Sequence, residues 1–487
     1  MIKVATGVGY NLNRRHFPES RSNTAALASN GQLWQHNHLA GNVTRWPGKN
    51  PLEPNARGPP VLVIRLKLNP ENGDSILEKT HAWPDDCWNW PIDISHKHAV
   101  RCGEMIWVGG QVDLTPAGVV CNPGDRQLQT HHAMAHFARA LETLECDLED
   151  LVFLLCFYVN DGSVDERAFL DEVASCLPDS AVPAVNAVPV PYLAYEGLMV
   201  EIEGYAMRRE DGRRIEKTIA PSESLCALPT PFSQAVRSGK MIFVSGQYPR
   251  LTDGTVCHPG DSVVQTRQLM AQVTELLGHF GATCQDVVKL NRWYAGNVGI
   301  KDFEPAALAC AGFFNEPGPA ATGIPLPRHA DPDVTIKISV VAMLGEDGAH
   351  LPRRHVWPES LWDWHIHLPY KHGLACEEMI FLGGQVSLDK RGRALYPDDL
   401  SAQTHQAMQH IGTILGELGA DYDDVCKIMT IYQGDCGGES LHGNLGIRAG
   451  YFRDPGPATT GVPLPALAYE SMVIEIDAFA MAKAKDD

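Results

Sequence analysis

The chain repeats itself three times, and that constrains its fold more than any other feature. Residues 83–114 read WPDDCWNWPIDISHKHAVRCGEMIWVGGQVDL and residues 357–388 read WPESLWDWHIHLPYKHGLACEEMIFLGGQVSL; 16 of these 32 positions are identical at an offset of 274. The same offset carries Thr130 onto Thr404, Tyr158 onto Tyr432, Pro183 onto Pro457 and Glu201 onto Glu475. An offset of 136 places a further copy between them, with Gln111 falling on Gln247, Thr130 on Thr266, Tyr158 on Tyr294 and Pro183 on Pro319. The copies follow one another almost without gaps.

Each copy carries the same coarse pattern. A strand ends in (S/G)GQ (Met105–Gln111, Met241–Gln247, Met379–Gln385), and a turn-rich stretch follows it. Apolar spacing at Met134, Phe137, Leu141 and Leu144 predicts a helix. A β-rich run (Leu151–Val159, Val287–Tyr294, Val425–Tyr432), a second helix around Glu166–Cys176 and two closing strands, Ala187–Val190 and Met199–Ala206, complete the unit. Strands alternating with helices, plus adjacent strand pairs, imply an α+β layer with helices on one sheet face. One copy alone leaves the other face bare. Packing three sheets together covers it, so three fused copies imply an intramolecular pseudo-trimer. The expected boundaries are an extension with one strand at 1–75, domain 1 at 76–210, a degenerate domain 2 at 211–349 and domain 3 at 350–487.

Composition narrows the function. With 487 residues, 44% of them hydrophobic, the chain has ample core; Lys+Arg 40 against Asp+Glu 59 gives a net charge of −19. A polyanion repels phosphate backbones and acidic membrane faces, so neither nucleic acid nor membrane is an expected partner. The longest apolar run, Leu151–Val159, is far short of the roughly 20 residues that span a bilayer. The N-terminus lacks a signal-peptide core, and 13 scattered cysteines without a CxxC read as reduced thiols in a cytoplasmic protein.

The run TPFSQAVRSGKMIFVSGQ (230–247), the QT that opens each first helix, DVVK (286–289) and VEIEGYA (200–206) resemble the RidA/YjgF family. That resemblance implies a chorismate-mutase-like fold, trimeric assembly and clefts between neighbouring units. It further implies hydrolysis of reactive enamines and imines to ketones and ammonia. In such proteins an arginine of a PAR-type motif binds the substrate carboxylate and a glutamate opens the last strand. Here the arginine is missing: Val185, Ala321 and Thr459 follow Pro-Ala in the three copies. The expectation is an atypical substrate lacking the usual carboxylate anchor, and poor turnover of amino-acid-derived imines. An ether-cleaving, chorismatase-like activity or a non-catalytic ligand-binding pseudo-trimer are the alternatives. Neither a cofactor nor a metal is implied.

The family glutamate corresponds to Glu201 and Glu475, which are the expected catalytic groups; copy 2 has Lys337 there. A half-buried carboxylate in a cleft has the raised pKa that acid–base work needs. Copies 1 and 3 also share Trp83, Trp88, Trp90, Lys97 and His98, matched by Trp357, Trp362, Trp364, Lys371 and His372. Three tryptophans on one loop suit an aromatic or cationic small molecule, or simply a packed core. His96 and Tyr370 hold the place of the family's cleft aromatic, and Gly110 and Gly384 are candidate floor donors of backbone N–H. Tyr195-Glu196 and Tyr469-Glu470 are candidate rim residues. His131, His132 and His136 lie off the apolar helix face and read as solvent-facing. Arg14, Arg15, His36 and His38, in the N-terminal arm, could fold over a cleft, and a dimer of pseudo-trimers is possible. Because copies 1 and 3 alone carry the glutamate and the Trp/His segment, their shared junction is the expected principal site, with copy 2 structural.

Overall fold

The computed structural model describes residues 62–65, 77–221, 223–296 and 300–483. The arm with Arg14, Arg15, His36 and His38 lies outside them. In copy 1 the sheet runs, in spatial order, Leu62–Arg65, Lys79–Trp83, Ala99–Cys102, Met105–Gln111, Val200–Met207, Leu151–Val159 and Ala184–Val190. Neighbours are antiparallel except the last two strands, which pair in parallel. A parallel pair needs a crossover, and the second helix, Glu166–Ala174, supplies it. Copies 2 and 3 repeat this order, from Lys217–Ile219 to Ala320–Leu326 and from Arg354–Val356 to Ala458–Leu464. The edge strand Leu62–Arg65 adds to the first sheet alone.

Local chemistry repeats with the topology. Asp125, Asp261 and Asp399 each cap a first helix by accepting a backbone N–H three residues on. Capping boxes at Asp147/Asp150, Thr283/Asp286 and Asp421/Asp424 start each central strand. That strand is apolar throughout in copy 1 because both its faces are buried, under helices on one side and against the other copies on the other.

Three equivalent backbone bonds close the ring. Ser233 N–H donates to Pro183 O (2.9 Å), Lys371 N–H to Pro319 O (3.1 Å) and Lys97 N–H to Pro457 O (3.2 Å). Each copy therefore abuts both others. Tyr205, Phe243 and Phe479, one from each copy, pack in the shared core with Tyr205 centroids 6.2 and 5.4 Å from the two phenylalanines. At the glycines before Gln111 and Gln247 the strand register slips, and in copy 3 the strand is interrupted at Gly383-Gly384. A bulge frees peptide groups from their own ladder, and here they turn to the neighbouring copy. This is where the clefts form.

Candidate active site

Glu201 is the second residue of the closing strand Val200–Met207, and it lies under Gly110 of the adjacent bulge. A Cβ at Gly110 would collide with the Glu201 carboxylate, as one at Gly384 would with that of Glu475. A larger residue at either glycine would have to displace the carboxylate. Both glutamates are buried and pushed up to about 8, first by desolvation and then by the neighbouring Glu203 or Asp477. A backbone N–H from the next copy opposes the shift in each case, Gly461 for Glu201 and Gly323 for Glu475. Below these glutamates run two buried ion pairs across copies, Lys427 to Glu203 at 2.7 Å and Lys289 to Asp477 at 2.8 Å.

The cleft over Glu201 is lined by Trp88, Trp90 and Tyr195 of copy 1 and by Leu445, Arg448 and Thr459 of copy 3. Arg448 comes from the helix Glu439–Ala449 and is fully buried. Its Nε donates to Asn444 Oδ1 (3.0 Å) and its Nη1 to Thr459 Oγ1 (2.9 Å), while Nη2 has no partner. Burial lowers Arg448 to about 9, so it remains charged at neutral pH. Thr459 is the residue that replaces the motif arginine. The expectation of a cleft without a cation is therefore corrected: a helix delivers the guanidinium against the vacated position. Near Glu475 the buried cation is Arg292, from the central strand Val287–Ala295 of copy 2. It is buried beneath Phe303 (5.0 Å) and Tyr370 (5.7 Å), its Nε has no partner, and its charge reaches Glu475.

The two Trp/His segments do not meet: the copy 1/copy 3 junction carries the segment on its copy 1 wall alone, with Leu445, Arg448 and Thr459 of copy 3 opposite. Each copy gives its closing strand to one cleft and its central strand and second helix to the other, and copies 1 and 3 add a tryptophan loop beside the closing strand. Glu201 consequently faces copy 3, and Glu475 faces copy 2. Copy 2 supplies Arg292 to the side of that junction facing Glu475. Of the segment residues, Trp88, Trp90 and Gly110 line the Glu201 cleft. Trp83 stacks behind them on Trp90 (5.9 Å) and His98 (4.5 Å). His98 bonds Trp88 O (3.0 Å) and His372 bonds Trp362 O (3.1 Å); burial lowers both to about 3, so they are neutral struts of the loop. Trp357 stacks on His372 (3.9 Å) and Trp362 meets Trp364 edge-on (4.6 Å). His96 bonds Pro457 O (3.2 Å) and faces Phe452, while Tyr370 faces Phe314. Gly110 and Gly384 are not free donors, since their N–H groups bond Thr460 Oγ1 (2.9 Å) and Ala321 O (3.1 Å). Tyr195 reaches across to His442 (2.9 Å). His131 is exposed as expected, His132 bonds Asp113 (2.8 Å) with its side chain 45% exposed, and the half-buried His136 bonds Val112 O (3.0 Å).

Arg448 was legible in principle. Leu441, Leu445 and Arg448 recur at helical spacing on one buried face, and a charge on such a face demands a reason.

The third cleft, between copies 1 and 2, inverts the signs. Lys337 replaces the glutamate, and its Nζ donates to Glu166 Oε1 (2.5 Å) and Ala187 O (2.5 Å) of copy 1. Ala187 is the repeat equivalent of Gly461 and Gly323. The backbone there offers a carbonyl to the ammonium where it offers an N–H to the carboxylates.

A family model described as Endoribonuclease L-PSP matches residues 93–208, 225–344 and 365–482. A RutC family protein of Pyrococcus horikoshii is 30% identical over 112 residues, covering 23% of this chain and 86% of that protein. A 2-iminobutanoate/2-iminopropanoate deaminase of Mus musculus is 30% identical over 113 residues, covering 23% of this chain and 81% of that enzyme. Among solved structures, a chorismatase matches with TM-score 0.43 and 13% identity, over 68% of this chain and 93% of its own. A YjgF-family member from Mycobacterium tuberculosis matches with TM-score 0.23 and 24% identity, over 27% and 99%.

Proposed function

Because the chain belongs to the Endoribonuclease L-PSP (RidA/YjgF) family, carried three times over, we propose that it hydrolyses the C=N bond of small imino acids. The reaction takes place in the Glu201 and Glu475 clefts. One observation carries this reading: Glu201, raised to about 8, and the buried guanidinium of Arg448, with an unpartnered N–H, line one cavity, and Glu475 with the charge of Arg292 repeats the pair. The guanidinium takes the substrate carboxylate. The glutamate protonates the imine nitrogen, water adds to the carbon, and the carboxylate left behind accepts the proton of that water. Returned to nitrogen, the proton lets ammonia leave as the carbonyl forms, and the glutamate takes up the hydroxyl proton, which restores its protonated form. The sum is imine plus water giving ketone plus ammonia.

The described cavity over Glu201 measures about 30 Å³, room for about two waters at 10–15 Å³ each. That size favours a substrate of few atoms over an aromatic one, and the tryptophans serve as walls. The relative named as a 2-iminobutanoate/2-iminopropanoate deaminase acts on compounds of this class. The net charge of −19 disfavours the polyanionic substrate that the family description names. Among the described residues no helix is long and apolar enough to cross a membrane.

The test is ammonia release from 2-iminopropanoate generated in situ. The expected result is acceleration by the native chain and its loss in the Glu201→Gln/Glu475→Gln double variant. Absence of acceleration over buffer overturns the proposal.

A further inference from the structure

Lys337 stands on the wall of a cavity of about 650 Å³, more than an order of magnitude roomier than the space over Glu201. It enters at the closing-strand register that carries the glutamates in the other two copies. Lys337 is buried, yet it lines this open volume rather than packed core. Glu166 of the neighbouring copy touches Nζ at 2.5 Å and is itself held by the hydroxyls of Tyr158 (3.0 Å) and Tyr248 (3.3 Å). The Tyr248 ring lies 4.2 Å from Nζ. Gln272, on the same cavity wall, has a buried carbonyl oxygen without a partner. A structural lysine would need the ion pair but not the space.

We propose that the cleft between copies 1 and 2 binds a small aldehyde or ketone, which condenses reversibly with Lys337. Glu166 first takes a proton from the ammonium. The freed nitrogen lone pair adds to the carbonyl carbon, a C–N bond forms, and the C=O pair moves to oxygen, which takes the proton back from Glu166. Glu166 then moves a second proton from the nitrogen to the hydroxyl, which leaves as water as the C=N bond forms. Ammonium plus carbonyl thus becomes iminium plus water, with no oxidant or reductant consumed. The iminium keeps the positive charge over the Tyr248 face and beside Glu166, so the environment suits both states of the nitrogen. Burial lowers the pKa of Lys337, and each unit of lowering raises the free-amine fraction about tenfold. Asp253 and Asp331 offset Arg167 and Arg250 on the wall, so the cavity sets no demand for an acidic ligand.

The experiment exposes the native chain to pyruvate or to glycolaldehyde, reduces with cyanoborohydride, and maps adducts by peptide mass spectrometry. The expected result is that one of the two carbonyls labels Lys337 at least about tenfold faster than the mean exposed lysine. Lys337→Arg keeps the cation against Glu166 but cannot condense; it should fold and lose this label while surface labelling persists. Glu166→Gln, checked for folding by thermal denaturation, should slow labelling at Lys337 alone. Uniform labelling of surface lysines with Lys337 untouched by either carbonyl overturns the proposal. An unchanged rate in a folded Glu166→Gln variant overturns the assigned proton path.

Discussion

The clefts around Glu201 and Lys337 occupy equivalent places in the ring yet exchange acid and base between strand and helix. In the first, a strand carboxylate faces a helix guanidinium, with Thr459 between. In the second, a strand ammonium faces a helix carboxylate, Glu166, at 2.5 Å. The layers beneath differ as well. Lys427–Glu203 and Lys289–Asp477 support the two glutamate clefts, whereas Phe153 and Ser339 hold the equivalent positions in the third. A buried charge persists only with a partner, so changing the strand residue required a matching change in the next copy. The unit of function here is therefore a junction, not a repeat.

The largest expected effect tests the glutamates. Each functional junction is complete in itself, so one substitution should leave the other cleft running and remove only about half the turnover. The Glu201→Gln/Glu475→Gln double variant should lose at least about 10²-fold in kcat, the scale of a positioned acid–base group. Steady-state ammonia release measures it. A double variant with native kcat would remove the chemical distinction between the clefts.

Next come the cations. Arg448→Met with Arg292→Met keeps bulk while deleting both guanidinium groups. Losing a charge-assisted bond costs about 1.5–3 kcal/mol, roughly 10–150-fold in kcat/KM. The loss should appear mainly in KM if the arginines hold the substrate carboxylate equally in ground and transition states. A fall confined to kcat would reassign them to the chemical step.

How far the sequence foretold these arrangements follows from where each interaction lies. Helices such as Arg126–Thr143 and strands such as Leu151–Val159 were legible because hydrophobic period is a local signal. Glu201 and Glu475 were legible because the repeat set them in register. Arg448 was visible as a charge on an apolar helix face, but the clefts that it and Arg292 enter were not, because those clefts exist only after the ring closes and the two come from different elements, one a helix and one a strand. The motif position emptied of arginine at Thr459 read as a lost cation, when the contact had moved to Arg448. The pairing of Lys337 with Glu166 was hidden for the same reason: the two are 171 residues apart in the chain.

The raised glutamates give two linked expectations. As proton donors they act in the protonated form, so turnover should be flat below about pH 8 and fall as pH rises through the value of about 8 that burial gives Glu201 and Glu475. Stability moves the same way. Their pKa is 4.5 in the ordinary state and about 8 when folded, so the native chain binds more protons than the unfolded one across that window. Stability is full below about 4.5 and declines as pH rises to about 8. The Gln variants carry no such group and should gain stability relative to the native chain at pH 9, by an amount on the order of 1–3 kcal/mol after local relaxation. Urea denaturation at pH 6 and pH 9 measures the difference, and an equal stability gap at the two values would contradict the buried-acid description.

The smallest effect concerns the third junction. Thr460 and Thr322 accept from buried lysines in the two glutamate clefts, at 2.6 and 2.8 Å. Their counterpart Asn186 is buried against Gly246 with both amide atoms unpartnered. With Phe153 in place of the lysine, nothing below Asn186 can bond it. An unsatisfied amide in apolar surroundings costs about 1–3 kcal/mol, and Leu has nearly the same length and branching. Asn186→Leu should therefore stabilise the chain by about 1 kcal/mol, part of the gain being lost to imperfect fit beside Gly246. The same change at the equivalent position of the Glu201 junction, Thr460→Leu, should destabilise it, because Lys427 would lose an acceptor and Gly110 N–H its partner. Opposite signs at equivalent positions would confirm that the junctions differ in their buried polar layer. If Asn186→Leu is destabilising instead, the amide is bonded to water in the Lys337 cleft, and that cleft is wetter at its base than the two that hold glutamates.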